Sequence, residues 1–178
     1  MPTLYLLIGG NQGDRRQMIS QATDLIQQRI GSVATCSYIY ETAPWGIFSP
    51  DETPQSFFNQ ALAANTSLSP HEALNEAMSI EQMLGRHRPS NGESNDIGSS
   101  INSHFYFSRP IDIDLIFYDQ LVIDTPDLTL PHPRMHLRRF VLQPLCDIAP
   151  QYRHPIINKT LTELLDECTD TSSCLRCL

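Results

Sequence analysis

Asp112 and Asp114 stand two residues apart in RPIDIDLIFYD, the otherwise apolar stretch from Arg109 to Asp119. In an extended chain successive side chains point to opposite faces. The spacing therefore puts both carboxylates on one face and Ile111, Ile113, Leu115 and Phe117 on the other. Two rises of about 3.3 Å set the acids roughly 6–7 Å apart, where their repulsion amounts to about 2–3 kcal/mol at an effective dielectric near 20. Two environments relieve such a pair: water on an exposed face, or hard cations that take oxygen ligands, with Arg109 holding an anion beside them. The strand alone is compatible with either.

The placement of positive charge narrows the choice. The chain carries a net charge of −8, which speaks against non-specific nucleic-acid binding, since that needs a basic surface to release counterions. Lys159 is the single lysine, so arginine, backbone or metal must hold any phosphate. Six of the eleven arginines, at 86, 88, 109, 134, 138 and 139, fall in the window that contains the aspartate pair. An arginine cluster beside acids fits a small polyanion bound through metal, although ion pairs on helix surfaces produce part of the same pattern. In LPHPRMHLRRF, His132 and His136 lack the neighbouring Glu of H-E-x-x-H, which argues against zinc. His132, Arg134 and Arg138 near a helix start make a better phosphate-handling group. GGNQGD lacks the spacing of a dinucleotide fingerprint, and no P-loop is present. Gly9-Gly10 reads as a strand-to-helix turn, or else as a place where a ligand approaches backbone. Five cysteines, three of them in the last eleven residues, do not suggest a disulfide framework. Cys174 and Cys177 spell CxxC in a tail expected to fray over 167–178.

The elements that must position these groups follow from periodicity. TLYLLIGG reads as a strand, and Asp14 caps a helix to about Ile30 with Met18, Ala22, Leu25 and Ile26 inward. SVATCSYIYETA reads as one strand ended by Pro44, and FFNQALAANTSL as another. Ser69-Pro70 opens a helix with Ala73, Ala77, Ile80 and Leu84 on one face, stopping near Gly85. The aspartate strand, a hairpin, a helix from Arg134 to Asp147 and a short helix in TLTELLDE complete the chain. The β-α-β-β-α-β order implies an α+β, ferredoxin-like sandwich with one antiparallel sheet and C-terminal helical additions. Residues 89–108, with Ser, Asn, Gly or Pro at twelve of twenty positions, read as a long flexible loop. The expectation is a single domain over 1–178, with no signal peptide or membrane span, and a cytoplasmic location.

Taken in order, IGGN, ETAPWG, FFNQA, IEQMLGRHR, RPIDIDLIFYD and LPHPRMHLRRFVLQPL resemble the 6-hydroxymethyl-7,8-dihydropterin pyrophosphokinases of folate biosynthesis, from the first motif to about Pro155. The resemblance implies transfer of the β,γ-pyrophosphoryl group of ATP to the pterin hydroxymethyl oxygen, releasing AMP. By the same match, Asp112 and Asp114 bind two Mg²⁺ ions that hold the ATP phosphates, and Arg86 and Arg109 accompany the transfer. Arg88, His132 and Arg138 match ATP contacts. Phe57 and Phe140 match the stacking aromatics, Asn59 the pterin-reading amide, and Thr42, Pro44 and Trp45 the loop that closes around the ring. No strong general base is implied, and Asp114 or water suffices. The expected associations are with ATP and the pterin alone, with no nucleic acid or membrane, as a monomer.

Three features depart from the family pattern: the long 89–108 loop, Gly10 where serine is commoner, and a Cys-rich segment beyond Asp166 with no counterpart. Two other readings stay open on the sequence. One is a non-catalytic ferredoxin-like module that binds nucleotide or pterin, and the other is a kinase passing only the γ-phosphoryl group.

Overall fold

A computed structural model describes residues 1–44, 55–86 and 108–178, and in it the apolar runs assemble into one antiparallel sheet. Its strands are β1 (Thr3–Gly10), β2 (Ser32–Cys36), β3 (Tyr40–Thr42), β4 (Phe57–Asn65) and β5 (Asp112–Tyr118). A separate ribbon of β6 (Ile123–Asp124) and β7 (Thr129–Leu130) is the expected hairpin, and β8 (Cys174–Arg176) joins the main sheet. The order across that sheet is β5-β1-β4-β3-β8, with β2 also paired to β4. The first strand thus lies between the last strand of the motif and β4, the ferredoxin-like arrangement that the element order implied.

The helices are α1 (Arg15–Arg29), α2 (Pro70–Met83), α3 (Arg139–Ile148) and α4 (Leu161–Asp166). Local chemistry fixes their starts. Asp14 accepts from Gln17 N at 3.0 Å, and Ser69 with Glu72 and Thr160 with Glu163 form capping boxes. Gly85, at φ +90°, ends the turn after α2. Helices α1 and α2 bury Ile19, Ala22, Ile26, Ala73, Ala77 and Ile80 against Leu4, Leu6, Ile8 and Leu62 on one face of the sheet. On the other face, Val141, Leu142 and Leu145 of α3 and Leu161 and Leu164 of α4 pack on Leu7, Ala61 and Phe117. Each such side chain contributes roughly 1.5–3 kcal/mol when fully buried, so the added helices are an integral layer. They cover only part of their face.

Several expectations are corrected, each for a local reason. The second strand is two, β2 and β3, because Ser37 breaks the ladder: its Oγ accepts from Ala61 N at 2.9 Å, taking the place of a backbone carbonyl. Phe117 leaves the face of Ile113 and Leu115, because a bulge at Ile116 shifts the register between Leu6↔Leu115 and Tyr5↔Phe117. The helix drawn from Arg134 is a 3-10 turn over Met135–Leu137 followed by α3, with Arg138 extended between them. Met18 is half-buried, and Ile19 takes the inward position. Gly9 and Gly10 continue β1, and the turn falls at Gly13, where φ is +64°. The segment expected to fray pairs instead as β8 on β3.

That pairing also disposes of the CxxC reading. Cys177 packs toward the α1–α2 side, whereas Cys174 lies near Asp147 and Asp170 on the other side, its thiol pushed up to about 11 chiefly by burial. Residues three apart on an extended strand point to opposite faces, so the two sulfurs do not share a metal or a disulfide. Among the described residues no helix is long and apolar enough to cross a membrane. Trp45, Arg88 and residues 89–107 of the long loop lie outside the described residues.

Candidate active site

The part of the sheet that α3 and α4 leave uncovered is the floor of a cavity of about 460 Å³. Two-residue periodicity decides what points into it: Leu7 and Gly9 from β1, Phe57 and Asn59 from β4, and Asp112 and Asp114 from β5. Thr42 and Ala43 form one wall. His132, Arg134, Arg138 and Phe140, around the 3-10 turn and the start of α3, form another, and Arg86 and Arg109 stand by the aspartates. The structure thus gathers Thr42, Phe57, Asn59, Arg86, Arg109, Asp112, Asp114, His132, Arg138 and Phe140 around one space. Pro44, half-buried at the edge of the described residues, does not line it.

The carboxylates sit in unequal surroundings. Asp112 contacts the Arg86 guanidinium and is ion-paired with Arg109 Nη1 at 2.9 Å. Burial pushes its pKa up, but Arg109 and Arg86 outweigh that, so the group stays low and ionised. Asp114 is pushed up to about 7, first by burial and then by the charge of Asp112. A half-buried acid whose pKa is raised by desolvation and by a second acid is short of positive charge. It gains most from a cation delivered into the cavity.

Behind Asp112 lies a carboxylate that sequence reasoning missed. Glu81 of α2 is only 1% exposed. Its Oε1 accepts from Arg86 Nη1 at 2.6 Å and from Ile113 N at 2.8 Å, so it fixes Arg86 and the backbone between the two aspartates together. The signal was available: Glu81 falls four residues after Ala77 and three before Leu84, inside the apolar stripe of α2. Asn11 was also missed. It is buried, its Oδ1 accepts from Arg109 N at 2.8 Å, and its own N donates to Arg109 O at 3.1 Å, which clamps the chain that presents Arg109.

The His132 wall is suited to an anion. Burial, then Arg138 and Arg134, lower the His132 pKa to about 4, so the ring is neutral at pH 7. Its Nδ1 accepts from Arg134 N at 3.3 Å, leaving Nε2–H as the donor. Arg109 Nε is buried with no acceptor among the described residues, and leaving such a group unmade is costly. Phosphate oxygens would supply the acceptor that Arg109 Nε lacks.

At the far end, Asn59 Nδ2 donates to Thr42 Oγ1 at 2.8 Å. Gly9 lies directly opposite Asn59 in the ladder, and a Cβ on Gly9 would run into Asn59 Oδ1 and, at 2.8 Å, Phe58 O. The glycine is therefore there for close approach and not for a turn. Gly9→Ala is expected to swing the Asn59 amide aside and weaken binding of an amide-edged ring by about tenfold or more, as for a lost specific hydrogen bond at a buried site. Direct titration of the ring compound against both proteins checks this; unchanged affinity would mean that Asn59 does not read it.

Comparison with known proteins agrees with this geometry. Residues 5–150 match the family model of 7,8-dihydro-6-hydroxymethylpterin-pyrophosphokinase. A 2-amino-4-hydroxy-6-hydroxymethyldihydropteridine pyrophosphokinase of Porphyromonas gingivalis is 39% identical over 156 residues, covering 87% of this chain and 95% of that protein. The protein of the same name from Aquifex aeolicus is 34% identical over 170 residues, 95% of this chain and 94% of that one. A crystal structure of wild-type Plasmodium falciparum HPPK-DHPS superposes with a TM-score of 0.69 at 16% identity, over 93% of this chain. This chain spans 43% of that longer one. The likeness there is of fold.

Proposed function

Because this chain belongs to the 7,8-dihydro-6-hydroxymethylpterin-pyrophosphokinase family, we propose that residues 1–178 are a single domain whose cavity performs the pyrophosphoryl transfer to hydroxymethyldihydropterin in folate biosynthesis, with ATP as co-substrate. The observation that carries the reading is one cavity lined by two half-buried acids, a cluster of arginines, an amide and two aromatic rings.

Phe57 and Phe140 give the flat pterin two apolar faces, and Asn59 offers a donor and an acceptor to its amide-like edge. Thr42 orients that amide. Pro44 and Trp45, next along the chain from Ala43, are further proposed contacts of the pterin. His132, Arg134 and Arg138 take the phosphates from one side and Arg86 and Arg109 from the other, with Arg88 as a further loop contact. The terminal pyrophosphoryl unit is thereby aligned for attack at the β-phosphorus, with AMP leaving. Transfer of this kind rests on positioning and on neutralising charge.

Asp112 and Asp114 would hold two Mg²⁺ ions. The donor set fits: among the described residues no three His, Cys, Asp or Glu converge on one metal, and Mg²⁺ characteristically takes one or two carboxylates together with substrate phosphates and water. Held there, such ions would supply positive charge to the phosphates and make the attacking hydroxyl more acidic. Asp114 or water then accepts the proton, so no stronger base is required. The enzyme acts as a cytoplasmic monomer on two small molecules. The net charge of −8 supports the exclusion of nucleic acid as a further ligand.

Incubation with ATP, Mg²⁺ and reduced hydroxymethylpterin tests the reading. AMP should accumulate only when pterin and Mg²⁺ are both present, and not in the double variant Asp112→Ala, Asp114→Ala. AMP formation indifferent to the pterin, or to the aspartates, would refute it.

A further inference from the structure

The segment after Asp166 lies beyond residues 5–150, which the family model matches, and it touches both walls of the cleft. On one side β8 pairs with β3 in the register Thr42↔Cys174, Glu41↔Leu175 and Tyr40↔Arg176. Ala43 N donates to Ser173 O at 3.2 Å, and Cys177 N donates to Ile39 O at 2.8 Å. Hydrogen-bonded pairs alternate along an antiparallel ladder, which makes Glu41/Leu175 the exchanged pair between them. Thr42 and Ala43, the wall beside Asn59, are therefore held from the outside by this strand.

On the other side the same segment caps α3. The helix begins at Arg139 and has no side-chain cap from Arg138. Asp170 supplies one from 31 residues away, its Oδ2 accepting from Arg139 N at 2.9 Å. Its Oδ1 accepts from Ser172 N at 3.0 Å and also from the Ser172 hydroxyl. A carboxylate at that end also suits the helix dipole. Arg138 and Phe140, which flank the capped residue, line the cavity. Arg176 lies over the Tyr38 ring, 3.0 Å from its centroid, and further secures the strand.

We propose that Asp170–Cys177 is a strap that fixes the spacing between the Thr42–Ala43 wall and the Phe140 wall, making Asp170 a positioning residue for pterin affinity. The inference rests on the pterin reading of the cavity. It assigns the strap no contact with either substrate. The strap acts through the two elements that it ties, so loosening it widens the slot for a flat ring while leaving the aspartate end of the site in place.

Three single variants test it: Leu175→Pro, Asp170→Ala and Asp170→Asn. Leu175 is 65% exposed on an edge strand, where proline removes one ladder donor without emptying a core position. Leu175→Pro is expected to raise the pterin KM and the pterin Kd by about tenfold, with kcat and the ATP KM within about twofold. Asp170→Ala should raise the pterin constants similarly. Asp170→Asn, which keeps one oxygen acceptor where the carboxylate uses two, should raise them less than Asp170→Ala. The Kd is read from pterin fluorescence and needs no turnover, so it tests the strap even in a preparation that makes no AMP, whereas failure to make AMP counts against the proposed function. Unchanged pterin Kd in Leu175→Pro and Asp170→Ala would overturn the strap. So would a parallel loss of pterin affinity, ATP affinity and Tm, which would reduce the segment to general support.

Discussion

Asp114→Asn lowers the rate of AMP formation by about 10²–10³-fold, equivalent to the several kcal/mol that a metal contributes to a phosphoryl transition state, and at the same time raises the melting temperature. The opposite signs come from one cause. In the folded protein the Asp114 pKa is pushed up to about 7 by burial and by Asp112, well above that of an aspartate in an unfolded chain. Between those two values the folded state binds the extra proton. The associated stability is fully present below the unfolded pKa and is lost as pH rises through about 7. At pH 8 the native protein therefore carries an ionised, repelled carboxylate that asparagine does not. The variant should gain on the order of 1–3 kcal/mol over the parent at pH 8, and the gain should shrink toward pH 4. Thermal unfolding across that range checks it. A variant that is inactive and also less stable at pH 8 would mean that Asp114 is held by a cation-free structural role.

Arg86→Leu has the second large effect, and here activity and stability fall together. The guanidinium joins Glu81, which is 1% exposed, to Asp112. Removing one member of a buried pair leaves the other charge uncompensated, a loss of about 3–5 kcal/mol, whereas removing both is far milder. Arg86→Leu should therefore unfold at markedly lower denaturant. The double variant Glu81→Gln, Arg86→Leu should recover most of the stability, because glutamine can still accept from Ile113 N. AMP formation should stay depressed in both, by about 10²-fold or more, if the same arginine also carries phosphate charge. Recovery of turnover along with stability would reduce Arg86 to a scaffold.

Two-residue periodicity explains why much of this site is legible in the sequence. It puts Asp112 and Asp114 on one face, whereas Phe57 and Asn59 come from the family resemblance and share a face of β4 in the structure. The order of elements implies the ferredoxin-like sheet, since right-handed β-α-β connections with antiparallel neighbours leave few alternatives. The misses are tertiary. Glu81 reads as a solvated helix residue unless the apolar stripe is followed through it. The role of Gly9 emerges only when Asn59 is known to lie across the ladder. Phe117 changes faces at a bulge, which no alternation pattern announces. The strap is invisible for a different reason: a Ser-, Thr- and Cys-rich segment has no apolar period, and its order comes from backbone pairing with β3 and from one carboxylate on a helix end.

In the proposed function the unequal aspartates and the arginines around them neutralise a chain of phosphates. The measurement that tests this most directly uses ATP labelled at the β-phosphorus, incubated with Mg²⁺ and reduced hydroxymethylpterin, with the label followed into products. Attack at the β-phosphorus predicts label in the pterin product, carried within a pyrophosphoryl group, and AMP without label. Label retained in ADP, with a single phosphate on the pterin, would contradict the account.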